Sequence, residues 1–226
     1  MSPGHSNRRI STKTEFFAEP ETEVGILTTA QLKALLSAAH PDLVPFLVLA
    51  AFAGVRRAEI EKMDWSDVHV EDKCLMVPAK IAKTAKKRMV EMQDNLAAWL
   101  KPHVKAAGPL VPLSQRTGLP SSKRLEMLLD LAREDAGITK WPSNCLRHSY
   151  GTYMVVKSHD EVYVAEQMGN PIEMVRDHYK THVKPAEPLH YFGIYPPGSE
   201  PSRFSQFELR ARLQRRVVED PRDAIG

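Results

Sequence analysis

Four residues, Arg56, Lys83, Arg147 and Tyr179, could together attack a phosphodiester. A tyrosine hydroxyl has an ordinary pKa near 10 and becomes a nucleophile at neutral pH only in cationic surroundings. Tyr179 stands 32 residues after Arg147, with Arg56 and a cluster of lysines further upstream. Guanidinium groups grip phosphate oxygens in bidentate fashion, and a lysine can protonate a departing oxygen. That combination makes DNA the expected substrate.

Arg56 lies in Gly54-Val55-Arg56-Arg57-Ala58-Glu59, where a glycine lets the backbone approach a ligand closely. Glu59 could hold the guanidinium in place, although an Arg–Glu pair at this spacing is by itself an ordinary surface feature. Lys80, Lys83, Lys86, Lys87 and Arg88 fall within nine residues and read as a DNA-contacting loop. Within it, the chain leaves Lys83 and Lys86 as alternative general acids. Asn144 precedes Arg147 by three residues and is expected to share its helical face. His148 should point elsewhere on that helix as a hydrogen-bonded structural residue, with Glu59 in a similar supporting role.

Composition agrees with a globular protein, at 42% hydrophobic and 26% charged residues. The net charge of +3 permits nucleic-acid binding without requiring it. Cys74 and Cys145 are too few for a disulfide framework or a zinc site. Neither a signal peptide nor a membrane-length apolar run is present, so a cytoplasmic, nucleoid-associated protein is expected.

Residues 1–25 read as a flexible arm and 193–226 as a basic tail, with one domain at 26–192 between them. Thr28 and Gln31 have capping-box spacing before Leu32, Leu35 and Leu36. A mostly buried helix should follow from Leu43 to near Gly54, and a short one from about Arg57 to Met63. The period then shortens: Val68–Val70, Leu75–Pro78 and Met89–Met92 are the expected strands. Helices resume at Asn95–Leu100, Lys123–Asp135, Asn144–Lys157, Glu161–Met168 and Ile172–His178, with Gly137 and Gly169 as stops. Phe204–Val218 has the pattern of a basic amphipathic helix. The fold class is therefore mainly α with a small antiparallel β-sheet.

In order, these segments resemble the catalytic domain of the tyrosine recombinases, the phage-integrase family. The family's Gly-x-Arg-x-x-Glu box matches Gly54, Arg56 and Glu59, and its hairpin lysine matches Lys83. Its His-x-x-Arg-His box falls on Asn144, Arg147 and His148, its Leu-Gly-His segment on Met168-Gly169-Asn170, and its nucleophile on Tyr179. The resemblance covers about Leu27 to Val183. It implies a catalytic set of Arg56, Lys83, Asn144, Arg147, Asn170 and Tyr179, working without metal or other cofactor. It also implies a 3′-phosphotyrosyl intermediate on double-stranded DNA, with homo-oligomers on paired sites.

The chain departs from the family pattern at two levels. Asn144 and Asn170 stand where the family has His, and His or Trp; an amide can donate to a phosphate oxygen but cannot carry a proton. A lost imidazole typically removes a factor of ~10²–10⁴, so a working or slowed enzyme is expected, with His178 or His182 as substitute proton carriers. Family members also carry a helical core-binding domain upstream, whereas 26 residues precede Leu27 here. A type IB topoisomerase-like relaxer and a non-catalytic DNA-binding remnant are the alternatives.

Overall fold

The computed structural model describes residues 25–114, 116–179 and 183–199. The expected arm, all but its last residue, and the amphipathic segment at Phe204–Val218 lie outside these, as does His182. Helix α1 (Thr29–Ala38) starts where the sequence places it: Thr28 and Gln31 form a reciprocal capping box, and Leu32, Leu35 and Leu36 turn inward. Helix α2 (Val44–Ala53) is apolar on every side and buried along its whole length, so it becomes the axis of the core. Helix α3 is a single turn, Arg57–Ile60, shorter than expected. The chain leaves it because Asp64 caps a 3-10 turn at Trp65–Asp67.

The three strands are β1 (Val68–His69), β2 (Cys74–Val77) and β3 (Arg88–Glu91), antiparallel in the order β1-β2-β3. Register pairs Leu75 with Val90 and Val77 with Arg88. Alternation then sends Leu75, Val77 and Val90 into the core while Met89 faces out. The β2–β3 connection is the lysine-rich hairpin.

Helices α4 (Asp94–Leu100) and α5 (Ser122–Asp135) follow, then α6 (Cys145–Ser158), α7 (Glu161–Met168), α8 (Ile172–His178) and α9 (Glu187–Tyr191). Helix α2 packs against both α4 and α6. Helix α9 closes the core over α6, where Tyr191 stacks on Tyr153 at 4.1 Å and donates its hydroxyl to the Ala51 carbonyl (2.9 Å). Gly137 and Gly169 both take left-handed backbone just past a helix end, as expected of stops.

Gly54 carries two constraints at once. It ends α2 in the left-handed region (φ 60°), and a Cβ there would lie 2.4 Å from the Tyr150 ring. Its carbonyl is thereby aimed at α6. Gly54→Ala should destabilise the protein by more than about 2 kcal/mol, since the backbone term alone costs about 1–2 kcal/mol and the ring must also shift. Urea denaturation checks this; an unchanged midpoint would mean α2 can end differently.

Candidate active site

Helices α2 and α7 end beside one another at the floor of an open cleft of about 840 Å³. The last four carbonyls of a helix lack intrahelical partners and carry the negative end of its dipole. Three arginines take up those carbonyls here. Arg147, on the first turn of α6, donates to the Gly54 carbonyl of α2 and to Met168 of α7 (2.9 Å). Arg56 donates to the Gly169 carbonyl (2.7 Å), and Arg88 to that of Gln167 (3.1 Å).

Among the described residues, Glu59 is the carboxylate that Arg56 and Arg88 share. It is 1% exposed. It accepts from Arg56 Nη1 (3.0 Å) and from Arg88 through both oxygens (3.2 and 2.6 Å). It also accepts the backbone N–H groups of Arg56 (3.2 Å) and Lys83 (3.3 Å), the second of which ties the basic hairpin to the site. Burial works to raise the Glu59 carboxyl, but Arg88 and these backbone donors outweigh it and bring it down to about 2.

Asn170 immediately follows the α7 cap, and its backbone N–H bonds the Ala165 carbonyl (2.9 Å). The side-chain Oδ1 accepts from Arg56 Nη2 (2.6 Å) and from Arg147 Nη2 (2.9 Å). One neutral oxygen thus bridges two guanidinium groups. Arg147 is 7% exposed, and burial, reinforced by Arg56 and Arg88, brings its guanidinium down to about 9, still a cation at neutral pH. Arg56 and Arg147 thus line the cleft joined through a neutral oxygen, an arrangement suited to an incoming oxyanion.

The structure draws Arg56, Lys83, Asn144, Arg147, Asn170 and Tyr179 to this one cleft, with His148 also on its wall. Lys83 is exposed on the hairpin, as are Lys80, Lys86 and Lys87. Arg88 differs from its loop neighbours. It sits on β3 with its guanidinium turned inward to Glu59, because strand alternation directs that side chain toward α7. Asn144 also differs from expectation. It is the N-cap of α6 at φ 54°, outside the helix, so it shares no helical face with Arg147; its Nδ2 donates to Ser143 Oγ (3.3 Å). Asparagine is among the few non-glycine residues that tolerate this backbone.

Tyr179 caps the C-terminus of α8 and is 2% exposed. Its ring lies against Gly151, where a Cβ would come within 2.8 Å. Burial pushes its phenol up, and the nearby Arg147 and Arg56, which pull the other way, do not restore it. The cationic field expected from the sequence is present but is outweighed. His148, expected to face elsewhere, has Nδ1 3.1 Å from the Tyr179 hydroxyl. His148 and Gly151 are three residues apart on α6, so both face the tyrosine.

This is the fold of the tyrosine recombinase catalytic domain. The crystal structure of XerA recombinase superposes with a TM-score of 0.55 at 19% identity, covering 86% of this chain and 66% of that one. The integrase of mycobacterium phage Brujita gives 0.57 at 19% identity, covering 85% and 64%. Lambda integrase, as a tetramer bound to a Holliday junction, gives 0.55 at 19% identity, covering 74% and 52%. This chain therefore spans about two thirds of the length of the first two and half of the third. No curated protein sequence matches it. Residues 26–186 match the phage integrase family model, and the chain belongs to that family. Among the described residues no helix is long and apolar enough to cross a membrane, and no group of His, Cys, Asp or Glu is placed to hold a metal ion.

Two outcomes test this electrostatic arrangement. The Glu59 carboxyl lies at about 2 against an ordinary 4.5. The stability it contributes is thus complete above 4.5 and lost as pH falls through 2. Glu59→Gln should cost about 3–5 kcal/mol at neutral pH and flatten that acid limb, followed by urea melts across pH. Second, orthovanadate or sulfate should raise the melting temperature, by an amount equivalent to ~2.7 kcal/mol at a hundredfold excess over Kd. Arg147→Ala should abolish the increment; an undiminished shift would place the anion elsewhere.

Proposed function

We propose that this protein is a site-specific DNA recombinase whose catalytic domain is residues 26–192. The observation that carries the reading is the convergence of Arg56 and Arg147 on Asn170 Oδ1, in a cleft lined also by Lys83 and Tyr179. The two guanidiniums hold the non-bridging oxygens of the scissile phosphate and stabilise the charge that develops there. Tyr179 Oη attacks phosphorus in line, forming a 3′-phosphotyrosyl bond. The 5′-oxygen leaves with a proton from Lys83 Nζ, whose hairpin is tethered to Glu59. Asn170 and Asn144, which both line the cleft, act through their Nδ2 groups as hydrogen-bond donors to phosphate.

A second strand's 5′-hydroxyl then reverses the step, so strands are exchanged without net loss of a phosphodiester. Strand exchange of this kind needs several protomers on paired duplex sites, and the tetrameric lambda integrase complex supports that assembly. The exposed Lys80, Lys86 and Lys87, on the same hairpin as Lys83, serve as contacts to the DNA backbone. Such an enzyme acts on the nucleoid in the cytoplasm. The assembled constellation favours an enzyme over a non-catalytic remnant, despite Asn144 and Asn170. A topoisomerase-like relaxer would use the same chemistry without dependence on paired sites.

Incubation with nicked suicide duplexes from the DNA flanking its gene, run on a denaturing gel, tests the proposal. Unmutated protein should form a covalent adduct and Tyr179→Phe none, with DNA affinity within about twofold. Equal adduct from the Phe variant would exclude the tyrosine mechanism.

A further inference from the structure

Tyr179 combines a buried phenol with the task of attack, and nothing in the scheme above receives its proton. Lys83 protonates the leaving oxygen, the arginines are cations, and both asparagines lack a titratable group. His178 lines the cleft on α8, but the imidazole in hydrogen-bond contact with the hydroxyl is His148. The contact is built in rather than incidental. The Tyr179 ring rests on Gly151, so its hydroxyl reaches one turn back along α6 to His148 Nδ1, with the two rings 5.8 Å apart.

We propose that His148 is the general base of strand cleavage, its Nδ1 taking the Tyr179 proton as Oη bonds to phosphorus. The inference rests on the recombinase reading and adds a proton acceptor to it. As Oη–P forms, the O–H electron pair stays on oxygen and the proton moves to Nδ1. The P–O5′ bond breaks with its electrons on the leaving oxygen, which Lys83 protonates. Rejoining returns the imidazolium proton to the phenolate. The acceptor at Nδ1 is the neutral tautomer with its proton on Nε2.

The charges around His148 favour that neutral form. Arg147 lies beside it on α6, His178 and Tyr179 face it from α8, and Arg56 and Lys83 stand across the cleft. Burial, then Arg147 and His178, push the His148 ring below its ordinary value. It is therefore unprotonated and able to accept at neutral pH. Two imidazoles of the family pattern are absent at Asn144 and Asn170. A third, directly on the nucleophile, is present.

The test is the initial rate of Tyr179-dependent adduct on the nicked duplexes, from about pH 5 to about pH 9. For the unmutated protein the rate should rise with pH and level off, with its inflection below about 6.5, because the base must first lose its proton. His148→Gln should be slower by ~10²–10⁴-fold and lose that inflection, while DNA affinity holds. Free imidazole should restore rate to His148→Ala, which a merely structural role would not allow. In the unmutated protein, ring-nitrogen NMR should report the Nε2–H tautomer at neutral pH, and Tyr179→Phe should move the His148 titration. Adduct from His148→Gln at the unmutated rate, or an Nδ1–H ring at neutral pH, overturns the inference and leaves the recombinase intact. If the unmutated protein forms no Tyr179-dependent adduct, both fall together.

Discussion

Three guanidinium groups are gathered at the ends of two helices, two of them on the Glu59 carboxylate, and this concentration of like charge governs the rest of the site. Arg56, Arg88 and Arg147 would repel one another if left to solvent-poor surroundings. They are held instead by Glu59, by the terminal carbonyls of α2 and α7, and by Asn170 Oδ1. The helix ends serve twice, because each orphan carbonyl needs a donor and each cation needs a negative dipole. Left-handed backbone at Gly54 and Gly169 turns these carbonyls to the place where the arginines arrive.

The core is arranged so that this cradle cannot drift. Helix α2 is buried along its length, so its C-terminus is fixed by packing on α4 and α6. Helix α7 is anchored at its own end to β3, where Arg88 holds the Gln167 carbonyl and the Gln167 side chain accepts the Glu91 backbone N–H (2.8 Å). The small sheet therefore positions a helix end as well as carrying the basic hairpin. Placing charge on rigid elements rather than on loops keeps the reorganisation cost of catalysis low. Lys83, on the exposed hairpin, is linked to the site by its backbone bond to Glu59.

Tyr179 obeys a different balance. Its ring is removed from water against Gly151, which makes the phenol a weaker acid even though two cations lie near. Burial outweighs the cations because the hydroxyl must lose hydration before it can carry charge. On α6, one turn from the glycine that accommodates the ring, the His148 imidazole lies within hydrogen-bond distance of the hydroxyl.

The sequence by itself determined the mainly helical fold with its small sheet, because patterning reports burial directly: α2 reads as a continuous apolar run and β2 and β3 as short apolar segments. The stops at Gly54, Gly137 and Gly169 were equally legible, since left-handed backbone selects glycine. The order of Arg56, Lys83, Arg147 and Tyr179 raised the expectation of phosphodiester chemistry, and the four do line one cleft. Only the tertiary structure decided what each side chain touches. Arg88 looked like one more loop cation, and its inward turn depends on strand register. Asn144 looked helical, but its left-handed cap conformation removes it from the face of Arg147. His148 was expected to point elsewhere on its helix, and its contact with Tyr179 arises because α8, packed on α7, delivers the Tyr179 ring against Gly151 of α6. The Arg88 and His148 contacts depend on residues distant in the chain, and local spacing carries no record of such contacts.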